Sequence, residues 1–448
     1  MSLRTLSWGL SIAYLALACT PQPKSAVPAS PITSASSATA GLPPISPPDQ
    51  GAVATKQYRN LFAERGHGAA EIQGKLERAW TQLFHGDPAN QSVYFPAGEN
   101  AAGPLAYIPD IGNDDVRSEG MSYGMMIAVQ LDHQPEFRAL WNWAKTHMQN
   151  RDRKHPAYGY FAWQLKRTGE HLDDMPAPDG EEYFATALYF AHARWGSGQG
   201  IYDYQREANE LLDNMKNRAD ITGLVNGKRT TTGGSLFDRS AKMVRFSPDS
   251  PNAQAGGHTD PSYHLPAFYE IWARVGPEPD RAFWREAATT SREFFHKAAH
   301  PKTGLTPDYA HYDGRPLAAS WNKDSVQFRF DAWRTAMNWS MDYAWWAADP
   351  RQKELSDRIQ AFFEAQGIAN YGNNFTLEGE PTSHDHSLGL VATNAVASLA
   401  ATQPRAWLFV DELWEKPPPT GKWRYYDGML YLFGLLHVSG NFRVYLPG

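Results

Sequence analysis

The chain has 448 residues, a formal charge of -6 and one cysteine. That charge leaves no basic footprint for nucleic acid, and one thiol, placed at residue 19, excludes a disulfide framework and cysteine catalysis in the body of the chain. Aromatic residues make up 13% of it, a stock that serves a large core and also flat ligands rimmed with hydrogen-bonding groups, such as sugars.

Residues 1–19 combine a short basic start, an apolar run over 10–18 and Cys19. This reads as a secretory signal, too short and wrongly flanked for a spanning helix. Leu15-Ala16-Leu17-Ala18-Cys19 resembles a bacterial lipobox, which implies acylation of Cys19 and a lipid-anchored protein in the periplasm or at the cell surface. Residues 20–55, rich in Pro, Ser and Ala, read as a disordered tether. Residues 56–448 then form one globular domain.

The first amphipathic helix is expected over 71–84, with Ile72, Leu76, Ala79, Trp80 and Leu83 at helical spacing. Further helices are predicted at 119–132, 135–149, 181–195, 203–217, 262–275, 281–298, 332–347, 351–366, 387–402, 405–415 and 426–437. No strand–helix alternation of the parallel-sheet kind is present. Several segments (121–131, 185–191, 390–401, 428–437) are apolar on all sides, while their neighbours are two-faced. Alternating buried and amphipathic helices predict an all-α toroid, an inner ring wrapped by an outer one, with long polar loops at 219–260 and 299–330 on its rim.

Three acids stand at the feet of apolar helices. Glu119 follows Ser118 and precedes Gly120-Met121-Ser122-Tyr123-Gly124; Asp179 sits in Ala177-Pro178-Asp179-Gly180-Glu181-Glu182-Tyr183; Asp331 sits in Phe330-Asp331-Ala332-Trp333-Arg334. Taken singly, each is an ordinary first-turn or capping acid, with Ser118 as the cap of the first. In a ring, however, the N-terminal ends of alternate helices share a face, so the three acids would converge on one cleft. A buried setting raises the Glu119 carboxyl, and Arg334, one turn after Asp331, would favour that acid's charged form. One protonated and one ionised carboxyl are what glycosidic cleavage requires.

These three stretches resemble the signature of glycoside hydrolase family 8. The resemblance spans roughly 60–445 and implies an (α/α)6 barrel, a metal-free and cofactor-free site, and hydrolysis of a β-1,4-linked polysaccharide with inversion. It assigns Glu119 as general acid, Asp331 as the base that activates water and Asp179 as the residue that binds and distorts the sugar. Glu181 and Phe184 depart from the general signature. With Tyr158-Gly159-Tyr160-Phe161-Ala162-Trp163 and Asp260-Pro261-Ser262-Tyr263, they are similar to the xylan-cleaving branch. Xylan is therefore the expected substrate, bound by a monomer. Endo action is favoured over release of xylose from reducing ends, because residues 378–386, the segment expected to block the cleft, carry no clear blocking motif.

Candidate sugar contacts are Trp163, Tyr123, Arg334, Trp333, Asp260 and Tyr263, with Tyr426 in Tyr425-Tyr426-Asp427 as a holder of the attacking water. His384-Asp385-His386 lacks a third ligand and is not read as a metal site. Gly120-Met121-Ser122-Tyr123-Gly124 fits the nucleophile elbow of serine hydrolases, but the expected absence of a preceding strand argues against it. The remaining alternative, a non-catalytic sugar-binding lipoprotein, needs no opposed acid and base.

Overall fold

The structure, a computed structural model, describes residues 39, 41–225, 227–232, 234–248 and 257–447. The predicted signal, Cys19 and most of the predicted tether lie outside the described residues.

Twelve helices of ten residues or more are present among the described residues: α1 Ala69–His85, α2 Ser118–Leu131, α3 Gln134–Trp143, α4 Pro178–Trp195, α5 Tyr204–Asn217, α6 Pro266–Val275, α7 Arg281–Ala298, α8 Trp333–Trp346, α9 Gln352–Gln366, α10 Leu388–Ala397, α11 Ala406–Glu415 and α12 Arg424–Val438. Each predicted helix has its counterpart. The even-numbered helices are buried almost all round; they pack in sequence α2, α4, α6, α8, α10, α12 and back to α2, closing a ring. The odd-numbered helices bury one stripe against it, as Ile72, Leu76, Ala79 and Leu83 of α1 do. This is an (α/α)6 barrel, and one continuous core runs from Ile45 to Phe442.

One helix start and one cap differ from expectation, and the helix expected from 181 begins earlier, at Pro178. The predicted helix at 262 begins at Pro266, because Asp260-Pro261-Ser262-Tyr263 forms a separate 3-10 turn capped by the Asp260 side chain on the Ser262 amide, at 2.7 Å. Ser118 does not cap α2: Arg117 holds the N-cap position, and the Ser118 hydroxyl is buried without a hydrogen-bond partner. The rim also carries short antiparallel strands that the sequence did not announce, including a four-stranded sheet of 109–110, 115–117, 164–165 and 171–173.

The expectation of a disordered tether is corrected for residues 41–55. Ile45 and Ala52 are buried. The Trp407 indole donates to the Pro43 carbonyl at 2.9 Å, the Tyr343 hydroxyl donates to the Pro48 carbonyl at 2.9 Å, and Lys353 pairs with Asp49 at 2.9 Å. These partners lie at the C-terminal end of the inner helix α8 and the N-terminal ends of the outer helices α9 and α11. The segment is a strap across the face opposite the N-terminal ends of the inner ring. Two of its carbonyls find buried donors there.

Candidate active site

The N-terminal ends of α2 and α4 meet closely, and glycine is the reason. A β-carbon at Gly180 would lie 2.6 Å from the Ser118 hydroxyl, and one at Gly120 would lie 2.4 Å from the Tyr425 ring. Without side chains at 120 and 180, Glu119 and Asp179 come together under the Tyr425 hydroxyl, which donates to Glu119 Oε1 at 2.9 Å.

Arg334, only 2% exposed, ties the acids into one unit. Its Nη1 donates to Glu119 Oε2 at 3.1 Å and to Asp179 Oδ2 at 2.7 Å, and also to the Tyr123 hydroxyl. Its Nη2 donates to Asp331 Oδ1 at 3.0 Å and to Ser262 Oγ at 2.8 Å. Three carboxyls thus share one guanidinium, and a single cation cannot hold all three ionised in a partly dry site. Glu119 is pushed up to about 7, by burial first, with Asp179 and Asp331 adding to it against the pull of Arg334. Burial also raises Asp179, again against Arg334. Asp331, whose side chain is 32% exposed, faces solvent most among the three. The turn that presents it is fixed by Asp308, which accepts from the Ala332 amide at 3.2 Å.

Glu119, Asp179 and Asp331 all line a cleft of about 760 Å³, with Arg334, Trp163, Tyr263, Tyr309 and Trp321. A proton donor near pH 7, a second acid across the same guanidinium and an aromatic wall describe a site that can cleave an acetal by acid–base chemistry. The family model for glycosyl hydrolases family 8 matches residues 109–440. The chain belongs to that family. It is a glycoside hydrolase.

Among relatives of this family 8 hydrolase, the reducing-end xylose-releasing exo-oligoxylanase Rex8A of Paenibacillus barcinonensis is 45% identical over 88% of this chain and 99% of its own length. A reducing end xylose-releasing exo-oligoxylanase of Halalkalibacterium halodurans is 42% identical over 89% and 97%. The crystal structure of a catalytic mutant xylanase of the family from Teredinibacter turnerae, in complex with xylohexaose, is 56% identical and superimposes with a TM-score of 0.86 over 89% of this chain and 100% of that one.

The family 8 site gathers some of the expected residues and leaves others out. Trp163 lines the cleft with Arg117 over its ring at 5.8 Å, and Tyr263 lines it beside Arg334. Tyr123, Trp333 and Asp260, read as sugar contacts, and Tyr426, read as a holder of the attacking water, are not among the described residues lining it. Tyr123 is buried beneath Arg334. Trp333 is 2% exposed and spends its indole N–H on the Asn373 carbonyl at 2.8 Å. Asp260 is buried as the cap of its turn. The Tyr426 hydroxyl donates to the Phe330 carbonyl at 2.8 Å, bracing the segment before Asp331.

Glu181 and Glu182 point into the core. Glu181 accepts from the Phe161 amide at 2.9 Å and Glu182 from the Tyr269 hydroxyl at 2.6 Å, and burial pushes both carboxyls up. A strand, 115–117, does precede Gly120-Met121-Ser122-Tyr123-Gly124, contrary to expectation. The elbow reading still fails, because Ser122 is buried inside α2 with its hydroxyl on the Glu119 carbonyl at 2.9 Å. Sequence reasoning missed Tyr425 as the partner of Glu119; its neighbour Tyr426 was chosen from the same triplet. It also missed Tyr309 and Trp321, which sit in a loop without periodic signal.

Proposed function

We propose that this chain hydrolyses the β-1,4 bonds of xylan or xylo-oligosaccharides in a single displacement with inversion at the anomeric carbon. The observation that carries the reading is the shared guanidinium, with Glu119 at one end of Arg334 and Asp331 at the other. A sugar chain lying in the cleft presents its glycosidic oxygen to Glu119, which donates its proton as the bond breaks. Asp331 takes a proton from water approaching the opposite face of the ring. Room for that water requires carboxyls roughly 6.5–9.5 Å apart in an inverting enzyme, and a guanidinium interposed between the two keeps them from touching. Asp179 engages the ring at the scissile position. Arg334 holds all three in place, and once the Glu119 proton has left it stands against the new carboxylate.

Endo action is the favoured mode. Residues 378–386 are not among those lining the cleft, and the 56% identical Teredinibacter turnerae protein is a xylanase described with xylohexaose. The exo-oligoxylanase names of the Paenibacillus and Halalkalibacterium relatives favour the second reading, xylose release from reducing ends. Export and acylation at Cys19 complete the proposal; a C19A variant should then move from the membrane fraction to the soluble one.

Proton NMR of the first product from xylohexaose tests the chemistry, and an α-anomer released first is the expected result. A β-anomer would end the single-displacement scheme. Timed product sizes in the same sample separate the two modes: mixed xylobiose, xylotriose and xylotetraose support endo action, and xylose with xylopentaose alone supports the exo reading.

A further inference from the structure

Most large apolar side chains of this protein are buried, but Trp321 is 55% exposed. It lines the same cleft as the three acids, on the rim loop before α8. It does not stand alone. Phe246, half-buried, has its ring centre 6.0 Å from Trp321, and 5.9 Å from Tyr263 in a nearly parallel plane. Phe246 is wedged from below by Tyr309 at 4.5 Å and by His258, stacked at 4.4 Å. Tyr263 in turn lies beside Arg334, with the guanidinium 5.9 Å from its ring.

An aromatic strip therefore runs from the catalytic carboxyls outward, Tyr263 to Phe246 to Trp321. Its inner members are held by packing and its outermost ring is left bare. Desolvating a broad ring without burying a charge suits the apolar face of a sugar, and a rigid wedge beneath it lowers the ordering cost of binding.

Resting on the xylan reading, we propose that Trp321, supported by Phe246, is a distal subsite that stacks a xylose unit of the same chain beyond the cleavage point. The occupant is a neutral β-1,4-linked pentose, because the platform is continuous with the cleft that holds the scissile bond. The subsite makes the enzyme favour longer chains and acts on binding, not on bond breaking.

The test compares kcat/KM for xylohexaose and xylotriose in wild type, W321A and W321F. W321A should lower the xylohexaose value by about tenfold more than the xylotriose value, the scale of about 1.4 kcal/mol, with the difference carried by KM. W321F, which keeps a ring, should recover part of it. Equal losses on both lengths, or no loss on either, would overturn the subsite. Wild type inactive on both sugars would instead remove the xylan reading on which it rests. Titrating E119Q and E119Q/W321A with xylohexaose gives the same comparison without turnover: a weaker Kd in the double variant supports stacking, and an equal Kd refutes it.

Discussion

The two faces of the barrel are made from the same twelve helices and could hardly differ more. On one, the N-terminal ends of the inner ring bring carboxyls together around a single guanidinium in an open cleft. On the other, the opposite helix ends are closed by the strap 41–55 and by the C-terminal segment, where Phe442 stacks on Trp345 at 5.5 Å. The first face retains groups that are costly to bury and that chemistry uses; the second spends its polar atoms on carbonyl–indole and carbonyl–hydroxyl bonds that only hold the ring shut. Helix direction sets the division, since the positive ends of the inner helices favour acids where they converge.

Substitutions should therefore separate cleanly into those that remove turnover and those that remove stability. The largest effects belong to E119Q and D331N, each expected to lower kcat by about 10²–10⁴-fold with the melting temperature nearly unchanged, as read by initial rates and calorimetry. R334M breaks both properties at once. It strands three carboxyls without their cation, and removing one partner of a buried ionic network costs about 3–5 kcal/mol, visible in denaturant titrations beside lost activity.

Y425F is gentler and sharper. The carboxylate form of Glu119 loses a donor while the neutral form loses little, so the alkaline limb of kcat/KM should move to higher pH, with kcat down about tenfold. In wild type that limb should fall through about pH 7, where Glu119 gives up its proton. Stability follows the same sign. The fold binds this proton more tightly than the unfolded chain, whose carboxyl titrates near 4.5, so the Glu119 contribution declines as pH rises between those values. The smallest effect is expected on the far face: Y343F removes the bond to Pro48 and should cost about 1 kcal/mol with kcat intact. A far-face variant that lost turnover at full stability would break the division.

Much of this was legible in the residues. Period-3.6 patterning located the helices, and an acid before each of three apolar helices located Glu119, Asp179 and Asp331. The rest depended on contacts between distant segments. Spacing paired Arg334 with Asp331 three residues away, but its bonds to Glu119 and Asp179 cross 215 and 155 residues. Ser118 carries a capping residue's chemistry, yet the strand at 115–117 delivers the chain so that Arg117 takes the cap. The strap has the composition of a disordered segment, and contacts with distant segments, among them the donors of Trp407 and Tyr343, order it. Tyr425 and Tyr426 are indistinguishable in sequence; the direction each ring takes from α12 decides which one reaches the acid.

The glycines at 120 and 180 carry a consequence for the engineering of this enzyme. Neither lines the cleft, and neither has any group that could titrate. Yet a methyl at either would lie inside the contact distance of its neighbour, so the blandest replacement available should push an acid off its mark. Libraries seeking new substrate preference will tolerate bold changes in the rim loops far better than alanine at these two positions.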